Sequence, residues 1–183
     1  SFWMHADAWE EDDCIFCKRS GANDFRYFQQ SSGTKLRFQT WKDDASNFNV
    51  WTGADDLSTG AWHHVVYIEN STDGYFYING VRSGDPIDHS GYTPANGASD
   101  LYVGESTNSG RNYDGKLDEI VWWTRALTEG EVLDLYAGGH GRYINTNDEF
   151  QSTNTPMSSS LELLFHLDET GCEPQDSSGN NRD

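Results

Sequence analysis

Gly115-Lys116-Leu117-Asp118-Glu119-Ile120-Val121-Trp122-Trp123-Thr124-Arg125-Ala126-Leu127, continued by Thr128-Glu129-Gly130-Glu131-Val132-Leu133-Asp134-Leu135-Tyr136, decides how this chain is read. Branched and aromatic residues fit a pleated surface, so the first half predicts a β-strand. Period-2 alternation places Asp118, Ile120 and Trp122 on one face. Ile120 and Trp122 are core candidates, so Asp118 is expected among apolar side chains. A bare carboxylate there is costly or takes up a proton. A cation would resolve the conflict. The second half predicts one short helix: Thr128 and Glu131 make a capping box, Val132, Leu135 and Tyr136 form an apolar stripe, and Gly138-Gly139 ends it.

Working outward, Gly60-Ala61-Trp62-His63-His64-Val65-Val66 runs into Gly74-Tyr75-Phe76-Tyr77-Ile78-Asn79-Gly80-Val81, and Leu101-Tyr102-Val103-Gly104 follows. Asn79-Gly80 predicts a tight type I′-like hairpin. Taken with Gly-x-Leu-Asp-Glu-Ile, Thr-Arg-Ala-Leu-Thr and the helix ending in Leu-Tyr, these stretches resemble laminin-G-like (concanavalin A-like) domains in the family's order, over residues 1 to about 137. The resemblance implies an all-β antiparallel β-sandwich jelly roll with one short helix near the end of the domain.

The chain has 183 residues, room for one domain or one domain plus a tail, and enough to bury a core. Its net charge of −18 argues against nucleic acid and anionic membrane surfaces, and suits calcium binding or simply a solvated acidic surface. No apolar run approaches the roughly 18 residues of a membrane span, so no membrane insertion is expected. There is no initiator Met and no signal peptide, so the chain is expected to be processed or part of a longer protein. Aromatic residues at 14% with 18 Gly fit an all-β protein with many turns.

Strands are expected at 1–6, 14–19, 24–30, 35–41, 48–52 and 61–69. Trp62, His64, Val66 and Ile68 share one face of the last, which makes His64 a core histidine. Residues 83–99 read as a long loop. The domain reading is 1–137 for a jelly roll lacking the family's N-terminal part, 138–160 for a polar linker, and 161–183 for a strand and turn resembling the start of a next repeat. Leu161, Leu163, Phe165 and Leu167 give that strand an apolar face, a sticky edge if left bare. It is expected to pair beside Gly115–Thr124 of its own sandwich or of a neighbouring copy, and the tail-then-head order of a tandem array favours the neighbour.

Two places carry the metal expectation. Asp118 sits on a face read as core, and Asp176-Ser-Ser-Gly-Asn-Asn is a turn rich in oxygen donors, which calcium prefers. The resemblance implies that Asp118 and Asp176 supply carboxylates and Asn180 or Asn181 a further oxygen to a structural Ca2+. Asp176 follows Asp118 in this chain, so they meet only if the C-terminal strand docks. The alternative makes Asp176 an Asx-turn residue and Asp118 a salt-bridge partner.

Catalysis is not expected, although the same jelly roll hosts glycoside hydrolases. A retaining enzyme needs two carboxylates about 5 Å apart, on a strand all on one face, whereas Asp118 and Glu119 alternate. Trp41, Trp51 and Trp123 are candidate ligand contacts, since exposed indoles stack on sugar rings; Trp41 and Trp123 could equally cover the second sheet. Asn70-Ser71-Thr72 is a glycosylation sequon. Of Cys14, Cys17 and Cys172, an odd one is left over. Cys14-Ile15-Phe16-Cys17 has neither a second ligand pair for zinc nor a βαβ context for thioredoxin-like chemistry. Residues three apart on a strand face opposite sides, so a 14–17 bridge needs a local turn. Structural thiols or a disulfide to Cys172 stay open.

The function read from this is an extracellular, calcium-stabilised binding or adhesion module recognising a glycan or surface ligand. The alternative is a structural repeat of a fibre, assembled head-to-tail through residues 161–183.

Overall fold

Alternating apolar residues form strands throughout the computed structural model, which describes residues 1–10, 13–19, 25–31, 34–41, 47–52, 57–91, 100–105 and 111–167. In chain order these are β1 (Phe2–Ala6), β2 (Cys14–Arg19), β3 (Phe25–Ser31), β4 (Lys35–Trp41), β5 (Asn47–Trp51), β6 (Trp62–Glu69), β7 (Asp73–Ile78), β8 (Val81–Asp88), β9 (Leu101–Val103), β10 (Gly115–Asp118), β11 (Ile120–Trp123), helix α1 (Glu129–Tyr136) and β12 (Leu161–Phe165). One sheet has the order β10-β1-β6-β7-β8 and another β5-β4-β3-β2-β9, while β11 pairs with β12. Phe2 and Met4 of β1, Val65 of β6 and Phe76 of β7 meet Ile15 and Phe16 of β2 and Leu36 and Phe38 of β4 in the main core. Each such side chain contributes at most about 1.5–3 kcal/mol of burial.

The hairpin between β7 and β8 has the expected geometry, with φ of 52° at Asn79 and 78° at Gly80. A Cβ on Gly80 would come within 3.0 Å of the Leu133 and Tyr136 side chains, so the tip fits under α1 only as glycine. Residues 83–99, expected as one loop, begin as strand, because β8 pairs with β7 as far as Asp88. Residues 92–99 lie outside the described residues.

Gly115–Thr124, expected as one strand, is two. Glu119 takes a left-handed φ of 45° between β10 and β11. Taking one residue out of the pleat flips every later side chain to the other face. Asp118 therefore does not share the face of Ile120 and Trp122. Trp3 pairs with Asp118 and Met4 with Leu117. Met4 is in the main core and Leu117 packs against it, so Asp118 and Trp3 share the opposite face.

That opposite face carries a second core. Val66, Ile68, Tyr77, Val121 and Trp123 pack there under Val132 and Leu135 of α1. The helix begins as expected: Thr128 accepts from Glu131 N and the capping box is complete. It ends one residue earlier than expected, on Ala137 with φ 49° and ψ 40°. Residues 138–160 are not a free linker, since Ile144, Phe150 and Met157 are buried in this second core. Their spacing follows neither the helical nor the strand period, so it reads as polar connection. β12 pairs within its own chain, the first of the two expected routes. It runs antiparallel to β11, with Val121 opposite Leu164 and Trp122 opposite Leu163.

Candidate functional site

The switch of face at Glu119 builds a pocket. On the helix side of the sheet, Asp118 of β10, Trp3 of β1 and His64 of β6 lie in one row, and Lys116, His5 and Trp62 in the next. Residues 139–143, which follow α1, form the facing wall. Together Trp3, Trp62, Asp118, Glu119, Arg142 and Tyr143 line a concave space of about 360 Å³.

Each wall residue is held in place. The Trp3 ring lies tilted against His64 at 5.1 Å and stacks on Tyr136 at 6.1 Å. A Cβ on Gly141 would lie 3.3 Å from the Trp3 indole, so the loop presses directly on that ring. Trp62 is 43% exposed, with its ring 5.6 Å from that of His5. Arg142 Nη2 donates to Glu149 O at 3.1 Å and lies 3.7 Å from Asp148 Oδ2. Tyr143 is exposed and stacks on His166 at 4.2 Å with 9° between the planes.

The two carboxylates differ. Glu119 Oε1 lies 2.6 Å from His166 Nδ1, and Oε2 accepts from Ile144 N at 3.3 Å. Burial holds the Glu119 carboxyl above its ordinary range, against the opposing pull of His166 and the Ile144 N–H. Asp118 Oδ1 accepts from Glu119 N at 2.8 Å and from Leu167 N at 3.4 Å. The arrangement offers an exposed indole, a phenol and a half-exposed carboxylate to a polar ligand, while Glu119 is committed to holding the wall.

Asp118 is thus in the pocket, on the face opposite the main core instead of the expected one with Ile120 and Trp122. Asp176, Asn180 and Asn181 lie outside the described residues. Among the described residues, no three His, Cys, Asp or Glu side chains gather as a metal-ligand group. Trp41 and Trp51 sit at the ends of β4 and β5, paired with Asn47 and Arg37, and their side chains are outside the described residues. Trp123 is 9% exposed, and its Nε1 donates to Met157 O at 3.2 Å inside the second core. His64 is buried as expected, with Nε2 3.2 Å from Ser1 Oγ, while Nδ1 has no partner among the described residues. Sequence reasoning missed Trp62 as a site residue, because alternation grouped it with buried His64, Val66 and Ile68. The signal lay in its place at the strand's start, beside the Gly60 turn, past the cover of α1.

A second cavity of about 270 Å³ is lined by Phe2, Phe16, Phe38 and Tyr67 of the main core and by Glu69, Thr124 and Arg125.

The two antiparallel sheets and the short helix define a concanavalin A-like β-sandwich. The family model of the concanavalin A-like lectin/glucanases superfamily, laminin-G-like type, matches residues 1–133, and the chain belongs to that superfamily. No curated protein matches the sequence significantly. Among solved structures, a "putative carbohydrate binding protein" from Bacteroides ovatus is similar, with 18% identity and a TM-score of 0.67. The match covers 98% of this chain and 48% of the other, so this chain spans about half that protein's length. A heptameric SAP-like pentraxin from Limulus polyphemus is similar with 16% identity and a TM-score of 0.53, over 74% of this chain and 67% of the other. At these identities the likeness shows the fold. No helix among the described residues is long and apolar enough to cross a membrane.

Proposed function

We propose that this domain is a non-catalytic carbohydrate-binding module whose ligand enters the pocket beside Glu119. The observation that carries the reading is Trp62, 43% exposed at a pocket that also offers Asp118 and Tyr143. A flat indole face takes the C–H face of a sugar ring, and a carboxylate takes its hydroxyls in charge-assisted hydrogen bonds. The superfamily membership and the Bacteroides ovatus neighbour support the same ligand class. Binding without turnover fits the site, since both oxygens of Glu119 are engaged and Asp118 is the other acid lining the pocket among the described residues. An extracellular, adhesive setting is part of this reading. The test is a screen of neutral oligosaccharides by array and calorimetry. Binding that drops at least tenfold in Trp62→Ala, with the melting temperature unchanged, supports the pocket; a Trp62→Ala domain that binds as well as the parent moves the ligand elsewhere.

A structural calcium is the second reading, favoured by one contact. Leu167 N donates to Asp118 Oδ1, so the segment leading to Asp176, Asn180 and Asn181 departs from that carboxylate. Calcium seeks six to eight oxygens, and Asp118 with that turn supplies the right donor type. Chelation with EGTA should lower the melting temperature by several degrees, and Asp118→Asn should abolish the difference. Melting indifferent to calcium and chelator would rule the site out.

A further inference from the structure

The Cys-x-x-Cys stretch of β2 does what a regular strand forbids. Cys14 pairs with Gln29 while Phe16 pairs with Phe28, so Ile15 is an extra residue and the strand bulges there. A bulge resets the alternation of side chains. Cys14 and Cys17 consequently fall together, both 0% exposed, in one small cluster against Tyr102 of β9. They stand as thiols in the structure. The Cys14 thiol is hydrogen-bonded to Cys17; that bond, then burial, raises its pKa. The local turn that the sequence left as a condition for a 14–17 bridge is this bulge.

We infer that Cys14 and Cys17 form an intrachain disulfide when the chain folds in an oxidising medium, leaving Cys172 as the odd cysteine. The step breaks two S–H bonds and makes one S–S bond. Two protons and two electrons leave, and a small disulfide such as oxidised glutathione takes them up as two thiols. Exchange proceeds through attack by a thiolate and a mixed disulfide. In the folded sheet both thiols are buried and Cys14 is held protonated, so the bond closes before the sandwich covers them. Its effect is local. Cys17 sits opposite Tyr102, and Cys14 N donates to Arg111 O at 3.1 Å, so the bridge fixes the bulge where β2 holds the three-residue edge strand β9 and the segment beyond it. A chain folded in a reducing medium keeps the same fold with a dithiol there.

The test refolds the full chain in a glutathione redox buffer, alkylates it in denaturant without reductant, and weighs it. One adduct, mapped to Cys172, with the Cys14–Cys17 peptide lighter by two hydrogens, is expected. Three adducts, or a bond from Cys172 to either partner, overturns the inference. Cys172→Ser removes the competing thiol; it should take no adduct after oxidative refolding, and two adducts count against the bridge. The oxidised wild type should melt above its reduced form, whereas a Cys14→Ala/Cys17→Ala double variant should melt alike with and without reductant. These mass readings do not depend on how well either variant folds.

Discussion

Glu131 and His64 are buried ionisable side chains that bear on acid stability. Glu131 is 1% exposed, yet Arg125 grips both its oxygens at 2.8 Å, Thr128 N donates to Oε2 at 2.8 Å and Thr153 Oγ1 donates to Oε1 at 3.1 Å. Burial alone would raise this carboxyl; the Arg125 and Thr128 hydrogen bonds outweigh it and hold it at about 2, from an ordinary 4.5. Its stabilisation is thus complete above pH 4.5 and is lost as pH falls toward 2. That difference corresponds to about 3 kcal/mol. Glu131→Gln leaves Arg125 facing a neutral partner and should cost about that much at pH 7, read as a lower urea midpoint with unchanged slope. His64 works in an earlier window. Burial, with the N-terminal ammonium nearby, lowers it from 6.5 to about 3, so an unfolded imidazole accepts a proton that the folded one refuses. Its contribution is complete above pH 6.5 and is lost as pH drops from there toward 3. His64→Phe, which keeps a ring against Trp3 and Tyr136, should flatten that part of the profile. A wild-type midpoint constant from pH 7 to pH 4 would contradict the assignment.

Within single elements the sequence was a faithful guide; across their joints it was not. The strands, the Asn79-Gly80 turn and the Thr128–Glu131 capping box are local, and local chemistry announces them. Three local irregularities decide which side chains meet, and periodicity is blind to them. Ile15 brings Cys14 and Cys17 to one face, Glu119 turns Asp118 toward Trp3, and the shifted register opposite Trp122 and Trp123 places Leu161 with Leu164 in the second core. Lone apolar residues such as Ile144, Phe150 and Met157 carry no period at all, so burial of 138–160 was invisible. β12 then shows what such joints are worth. It covers β11 and buries Leu161, Leu163 and Leu164, about 1.5–3 kcal/mol each at most. Their sum rivals the net stability of a typical domain. Leu164→Ala should cost about 2–5 kcal/mol. A chain ending at Ser160 should fail to melt cooperatively, and a cooperative transition at the parent's temperature would show β12 to be dispensable.

The charge of the whole molecule selects among ligands where the pocket alone does not. A net charge of −18 surrounds the pocket. Of its lining residues, Arg142 is engaged by Glu149 O and Asp148, and Asp118 and Glu119 are acids. A sulfated or uronate-rich glycan would approach against the protein's field. A neutral glycan meets no such barrier, because its binding depends on stacking at Trp62 and on hydrogen bonds. The expected pattern is therefore binding to neutral oligosaccharides that changes little with added salt, and no measurable binding to heparin-like polymers even at low ionic strength, where surface charge acts over about 30 Å at 0.01 M. Calorimetry at low and physiological salt reads both. Tight, salt-sensitive binding of a sulfated glycan would mean that a basic surface, not the Trp62 pocket, takes the ligand.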